Sequence, residues 1–346
     1  MTLDERIKSF ELLGDRLRRY NENSPDGDMA PLIEAAGLAA SENPWFTHEH
    51  IRIALNSLGD ALQPENLNEW LSRYDEKFAR PHSRKTVGVV MAGNIPAVGF
   101  HDFLCVLIAG HKLIGKLSSA DTRLLPAMAA ILIEVSPEWQ KYITFTTGRL
   151  EGFDAIIATG SNNTSRYFNF YFGKYPGIIR KNRNSIAILD GNEDGKTLQK
   201  LADDIMLYFG MGCRSISKIY VPRDYDFSFL IGALKKYHRF IFHNKYLNNY
   251  EYSKTIFLVN QVPYIDAGCL IFREDDALAS RIAVLNYEIY DSAEEIVRKV
   301  ESNLDLIQCV VSTIPLPVRY TKPGEAQNPA LWDYADGVDT LDFLLS

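Results

Sequence analysis

Thr86-Val87-Gly88-Val89-Val90-Met91, followed by Ala92-Gly93-Asn94-Ile95-Pro96, decides how this chain is read. Thr86, Val87, Val89 and Val90 are β-branched, and the run does not alternate with polar residues. That is the pattern of a strand covered on both faces, as in a parallel sheet. Gly93-Asn94-Ile95-Pro96 stops the run as a turn. Beyond it the pattern predicts a helix over 99–109 and a second strand over 112–116. A helix over 122–135, strands over 142–146 and 155–158, a helix over 163–172 and a strand over 185–189 continue the series. Strand–helix–strand order of this kind predicts a largely parallel, helix-covered sheet.

The flanks differ in texture. Upstream, helices are expected over 4–20, 29–40, 47–61 and 64–78. In the first, Leu3, Ile7, Phe10, Leu13 and Leu17 recur at helical spacing among charges, which reads as an amphipathic helix and not a signal peptide. Downstream, helices are expected over 197–208, 227–240 and 246–259, with strands over 217–221, 269–272, 288–290 and 309–312. The fold class is therefore α/β: two Rossmann-like units with mostly parallel sheets and a helical N-terminal lead-in. The expected division is 1–84 packing on a first unit, 85–190 plus 315–346 as that unit, and 191–314 as the second.

Composition narrows the function classes. The 346 residues carry 37 basic and 44 acidic side chains, a net charge of -7, so nucleic acid has no general electrostatic support as a partner. The most apolar stretch, 87–113, is interrupted by Asn94, Pro96, His101 and Asp102. Its uninterrupted part, 103–110, falls far short of the roughly 20 residues of a membrane span. Four cysteines without a CxxC or a Cys/His cluster give neither a disulfide scaffold nor a metal site. A reducing, cytoplasmic location is the default expectation.

Among the cysteines, Cys213 stands apart, in Gly210-Met211-Gly212-Cys213-Arg214 between a predicted helix and a predicted strand. Glycines allow a sharp turn and close approach of a substrate, and a thiol there is exposed and reactive or else a small buried residue at a helix end. Cys105, Cys269 and Cys309 lie in apolar runs and read as core. Asn94 sits at the carboxyl end of a predicted strand, where open α/β sheets place ligands. Its amide suits an oxyanion donor, although on spacing alone a β-turn is favoured. Thr159-Gly160-Ser161 joins a strand to a helix, as a phosphate-binding turn or as a serine N-cap. Neither GxGxxG nor GxxxxGK[ST] occurs. The aromatic run 166–175 reads as core packing, and the basic run 180–183 as a solvated loop or a phosphate clamp.

Taken in order, these pieces resemble the aldehyde dehydrogenase superfamily, and within it the LuxC-like acyl-CoA reductases. Asn94-Ile95-Pro96 resembles the N-[FY]-P segment that helps form the oxyanion hole. Ile108-Ala109-Gly110-His111, Lys112 to Lys116 and Leu117-Ser118-Ser119 resemble the A-x-G-N strand and its K-P-S-E ending, which implies that Lys116 contacts the adenosine ribose. Ala158-Thr159-Gly160-Ser161 resembles the F-T-G-S turn beside the pyrophosphate, and Gly210-Met211-Gly212-Cys213 the G-Q-x-C segment of the catalytic cysteine. The ending from Asn328-Pro329 to Thr340 is similar to the acyl-CoA reductase branch.

Two departures carry information. The E-L-G-G-K segment, whose glutamate activates the hydrolytic water, corresponds here to Lys181-Asn182-Arg183-Asn184-Ser185-Ile186, which has no carboxylate. Without that base, an acyl-enzyme exchanges with an external thiol rather than hydrolysing. Ser119 stands where NAD-specific relatives hold an acid, so a 2′-phosphate is not repelled. The resemblance thus implies NADPH-dependent reduction of an acyl-CoA thioester to the aldehyde through a Cys213 acyl-enzyme, with NADH left open as cofactor. It makes 85–190 plus 315–346 the cofactor domain, with Lys116, Ser118, Ser119, Thr159, Gly160 and Ser161 as its binding residues. The segment 191–314 becomes the cysteine domain, and Asn94 joins Cys213 as a catalytic residue. It also implies a homo-oligomer and leaves room for acyl-transferring partner proteins. An acyl-phosphate or semialdehyde dehydrogenase, and a non-catalytic binding subunit, are the alternatives.

Overall fold

In a computed structural model of the chain, which describes residues 1–23, 27–80, 83–160 and 162–346, Thr86–Val90 forms β1 at the centre of a five-stranded sheet. Its companions are β2 (Lys112–Lys116), β3 (Ile143–Thr146), β4 (Ala155–Thr159) and β5 (Gly177–Arg180). The order is β3-β2-β1-β4-β5 and every pair is parallel. The strand order reverses between β1 and β4, and open α/β sheets bind ligands at the carboxyl edge of such a reversal.

The chain divides into two units, Met1–Asn182 with Ala330–Ser346, and Arg183–Pro329. In the first, helices α1 (Leu3–Arg18), α2 (Ala30–Glu42), α3 (His48–Ala61), α4 (Pro64–Ser72) and α5 (Asp75–Phe78) precede the sheet. Thr2 and Glu5 form a reciprocal capping box at the start of α1. Helices α6 (Phe100–Ile108), α7 (Leu124–Val135) and α8 (Asn162–Phe172) follow β1, β2 and β4. Phe10, Leu13 and Leu17 of α1 share one buried cluster with Phe103 and Val106 of α6, Leu132 of α7 and Trp139. The helical lead-in is therefore part of this unit's core.

So is the C-terminal tail. Its last helix, Thr340–Leu345, buries Leu341 and Leu344 in the same cluster. Arg180, almost wholly buried, donates to Asp102 Oδ2 at 2.6 Å and to Thr340 Oγ1 at 2.8 Å. The Tyr334 hydroxyl lies 2.7 Å from both Trp70 Nε1 and the Tyr74 hydroxyl. His111 is fully buried, with Nε2 2.8 Å from the Leu344 carbonyl.

The second unit holds β6 (Asn184–Ile188), α9 (Gly195–Met206), β7 (Ile216–Pro222), α10 (Phe227–Leu234), α11 (Asn244–Val259), β8 (Ile265–Asp266), β9 (Ile271–Glu274), β10 (Val284–Tyr290), α12 (Ala293–Glu301) and β11 (Ile307–Ser312). With it, the C-terminal helix becomes α13. The sheet order is β11-β6-β7-β10-β9-β8, parallel apart from the β8–β9 hairpin.

Several expectations are corrected. Strand 184–188 pairs with β7 and β11, so the second unit begins at Arg183 and not at 191. The segment 315–329 also stays with the second unit, because Thr321 bridges to Val311 and the Gly324 N–H bonds to Asp204 on α9. The aromatic run 166–175 packs on one side only. Phe168 and Phe172 join Phe153, whereas Tyr167, Phe170 and Tyr171 are exposed. β5, β8, α12 and α13 have no counterpart in the sequence expectation.

Candidate active site

In the first unit, the described residues singled out as cofactor ligands stand at the carboxyl ends of β2 and β4, and Asn94, singled out as catalytic, follows that of β1. Asn94 lies four residues past the end of β1 and is exposed. Lys116 closes β2, level with Val90, and its carbonyl accepts the Met91 N–H at 3.0 Å. Lys116 forms no ion pair among the described residues, which leaves a cation at the sheet edge. Ser118 is half-buried and Ser119 exposed in the loop that follows. Thr159 ends β4 and Gly160 continues from it. Ser161 lies outside the described residues.

Local packing explains the small residues. A Cβ on Gly160 would stand 2.8 Å from the Phe168 ring and 3.0 Å from Thr164, so only glycine lets β4 turn onto α8. The Gly160 N–H itself donates to the Arg180 carbonyl at 3.3 Å, so this residue supplies space and not an amide donor. A Cβ on Gly93 would lie 2.5 Å from Ser118 Oγ, which makes the β1 and β2 loops direct neighbours. Asp121 fastens those two loops: Oδ2 accepts the Ala97 N–H at 2.9 Å and Oδ1 the Leu124 N–H at 3.2 Å. Burial pushes the Asp121 carboxyl up, while those donors pull it back. Ala97 holds a left-handed backbone, φ 55°, an unusual state for a residue with a side chain. The sequence reading has Gly93 only as part of a turn and passes over Asp121. Asp121 three residues before Leu124 matches an N-terminal capping pattern, and that was the available signal.

In the second unit, Cys213 follows α9 by way of a short 3₁₀ turn, Leu207–Gly210. Tyr208, Phe209 and Gly210 are consecutively left-handed, with φ of 55°, 58° and 72°. Such strain persists only where surrounding contacts hold it, and it concentrates at functional sites. Here Phe209 is held against Phe240, His243 and Tyr246. Past the strained run, Ser185 Oγ donates to the Cys213 carbonyl at 2.9 Å. The Gly212 N–H donates to Ser215 Oγ at 3.2 Å, and the Ser215 N–H returns to the Gly212 carbonyl at 3.0 Å.

Of the four cysteines, Cys213 alone is exposed. Burial pushes the Cys269 thiol up to about 12 and that of Cys309 up to about 11, and it raises Cys105 well above its ordinary value. Those three are protonated at neutral pH and so are poor nucleophiles. The charges acting on Cys309 are mixed: Arg214 and Arg319 draw its thiol down, while Asp204 and Cys213 push it up. Three other basic side chains, Lys218, His101 and His111, have partners away from this turn. Lys218 is fully buried, with Nζ on Glu288 Oε2 at 2.5 Å and on the Asp276 carbonyl at 2.7 Å. His101 bonds the Leu331 carbonyl at 2.8 Å, and His111 that of Leu344.

Comparison with known proteins bears on both units. Residues 32–245 match the family described as Acyl-CoA reductase (LuxC). A long-chain acyl-protein thioester reductase from Photorhabdus laumondii is 23% identical over 185 residues, covering 49% of this chain and 38% of that protein. The chain thus matches well under half the length of that relative. An acetylating aldehyde dehydrogenase from Geobacillus thermoglucosidasius superposes with a TM-score of 0.59 at 14% identity, over 90% of this chain and 76% of that one. An aldehyde dehydrogenase from Bacillus cereus gives a TM-score of 0.61 at 16% identity, over 92% and 72%. The fold is that of the aldehyde dehydrogenases. No helix among the described residues is long and apolar enough to cross a membrane.

Proposed function

The chain belongs to the acyl-CoA reductase (LuxC) family, and from that premise we propose that it reduces an acyl thioester to the aldehyde with NADPH, through an acyl-enzyme on Cys213. One observation carries the proposal: a single exposed thiol on a strained, glycine-flanked turn, with the other three cysteines buried.

Each residue then has a task. The Cys213 thiolate attacks the thioester carbonyl, the carrier thiol leaves, and an acyl-enzyme remains. As the carbonyl becomes tetrahedral, the Cys213 N–H donates to its oxyanion, a role that the family resemblance also gives to the Asn94 side-chain amide. When bound, the nicotinamide cofactor supplies the hydride. Sulfur is the leaving group from the reduced carbon, and Cys213 returns to the thiolate. No carboxylate occurs in 181–186, where relatives hold their hydrolytic base, so the acyl-enzyme waits for reduction instead of losing its acyl group to water.

The first unit fits such a cofactor. Gly160 lets β4 turn tightly onto α8 at the carboxyl edge of the sheet reversal, where open α/β sheets bind ligands. Lys116 supplies a cation there, and the Ser118 and Ser119 hydroxyls would meet a 2′-phosphate without the repulsion of an acid.

The test is acylation by a labelled acyl thioester, with CoA and with a protein as carrier, followed by mass spectrometry of the Cys213 peptide. Wild type should carry the label at Cys213, and Cys213→Ala should not. Label retained in Cys213→Ala overturns the assignment. Faster turnover of an acyl phosphate than of either thioester overturns the substrate class.

A further inference from the structure

None of the steps above uses Gln327 or Asp204, yet Gln327 reaches the turn that carries Cys213, and Asp204 holds the segment Gln327 belongs to. Asp204 lies on α9, fully buried, and its Oδ2 accepts the Gly324 N–H at 2.6 Å. Its Oδ1 is buried without a hydrogen-bond partner, so the carboxylate sits there at a cost in desolvation. The bond ties the 324–327 segment onto the helix that leads into the nucleophile turn. Gln327 ends this segment. Its Nε2 donates to the Asp204 carbonyl at 3.2 Å and to Ser215 Oγ at 3.3 Å. A carbonyl only accepts, which sets the orientation of the Gln327 amide. Ser215 Oγ in turn accepts the Gly212 N–H.

This chain of contacts bears on one mechanical problem. Gly210 and Gly212 lead into Cys213 with backbone that has little conformational preference of its own. A nucleophile placed there holds its aim only if the turn is fastened from outside. Ser185 fastens the Cys213 carbonyl, and Ser215 fastens the amide one residue earlier. On the reading that Cys213 is the nucleophile, we infer that Gln327 and Ser215 are positioning residues: Gln327, seated by Asp204, orients the Ser215 hydroxyl, which holds the Gly212 N–H and so the direction of the Cys213 thiol and N–H.

The test uses the full chain and four variants: Gln327→Glu, Gln327→Ala, Ser215→Ala and Ser215→Thr. Gln327→Glu keeps the size but removes the donor. Ser215→Thr keeps the hydroxyl. Two rates are read at Cys213: acylation by an acyl-CoA, and alkylation by iodoacetamide, which needs no substrate site. Circular dichroism confirms that each variant is folded. Gln327→Glu and Ser215→Ala should slow both rates by about tenfold, the scale of one lost hydrogen bond, with the KM for acyl-CoA unchanged. Ser215→Thr should stay near wild type. Wild-type rates in folded Gln327→Glu and Ser215→Ala overturn the inference, as does a Ser215→Thr protein as slow as Ser215→Ala. Should Gln327→Ala lose its fold, the isosteric Gln327→Glu decides. A wild type that is alkylated at Cys213 but never acylated refutes the proposed function, and the alkylation rates then judge this inference alone.

Discussion

Placing a methyl group at position 93 tests whether the Asn94 loop works only when seated against the Ser118 loop. In Gly93→Ala the new Cβ would stand 2.5 Å from Ser118 Oγ, 2.7 Å from Ser118 Cβ and 3.2 Å from Ala120 Cβ. Ordinary contacts between such atoms lie near 3.5–4.0 Å, so the two loops must part by about 1 Å. Overpacking of this kind costs about 1–3 kcal/mol of stability. The larger effect is on rate, because an amide donor displaced by about 1 Å from its oxyanion costs about 10²-fold. Ser118→Gly removes both of the closest atoms, together with the Ala120 N–H bond to Ser118 Oγ. The measurement is a double-mutant cycle on kcat for thioester reduction, with urea unfolding in parallel. Gly93→Ala alone should lose about 10²-fold in kcat, and the double variant should recover to the level of Ser118→Gly alone. That recovery is a coupling energy, which residues in contact show and independent ones do not. A Gly93→Ala protein with near-normal kcat, or losses that simply add in the double variant, would refute the reasoning.

Three further predictions bear on single residues. Asn94→Ala should lower kcat by about 10²–10³ while leaving cofactor affinity intact, and a near-normal rate returns Asn94 to the status of a turn residue. Ser119→Glu should move the kcat/KM preference from NADPH toward NADH, since an acid accepts ribose hydroxyls and repels a 2′-phosphate; an unmoved ratio means that this loop does not read the 2′-position. Burial pushes the Asp204 carboxyl up to about 7, against an unfolded value of 3.8. A raised carboxyl favours the folded state in its protonated form, so the contribution is full below about pH 4 and is lost as pH rises through 7. The loss is about 4 kcal/mol at most. Thermal melts at pH 5 and pH 8 should show wild type falling relative to Asp204→Asn, and parallel pH profiles for the two proteins would remove Asp204 as the cause.

How much of this was legible beforehand depends on how far apart the deciding residues lie in the chain. Lys112–Lys116 was read end to end because its apolar run and its flanking turns are local. β5 is only four residues long and is a strand by virtue of pairing with β4, and α13 is six residues long, too short for a period to show. The strand 184–188 was found but placed in the wrong unit, since a buried apolar run records that it is covered and not which neighbour covers it.

The site divides the same way. Cys213 was chosen by its two glycine neighbours, and Asn94 by the strand before it, both within a few residues. What supports them is distant: Ser185 stands 28 positions from Cys213, and Gln327 stands 112 from Ser215. Serine, glutamine and aspartate at such places look no different in sequence from the same residues on a solvated loop. Only the fold separates them, by taking them out of water and setting most of their polar atoms against specific partners. The residues proposed as nucleophile and oxyanion donor are therefore the parts a sequence announces, because the chemistry proposed for them restricts the residue type. The residues that aim them are restricted only by geometry, and they become visible when strands from distant parts of the chain are laid side by side.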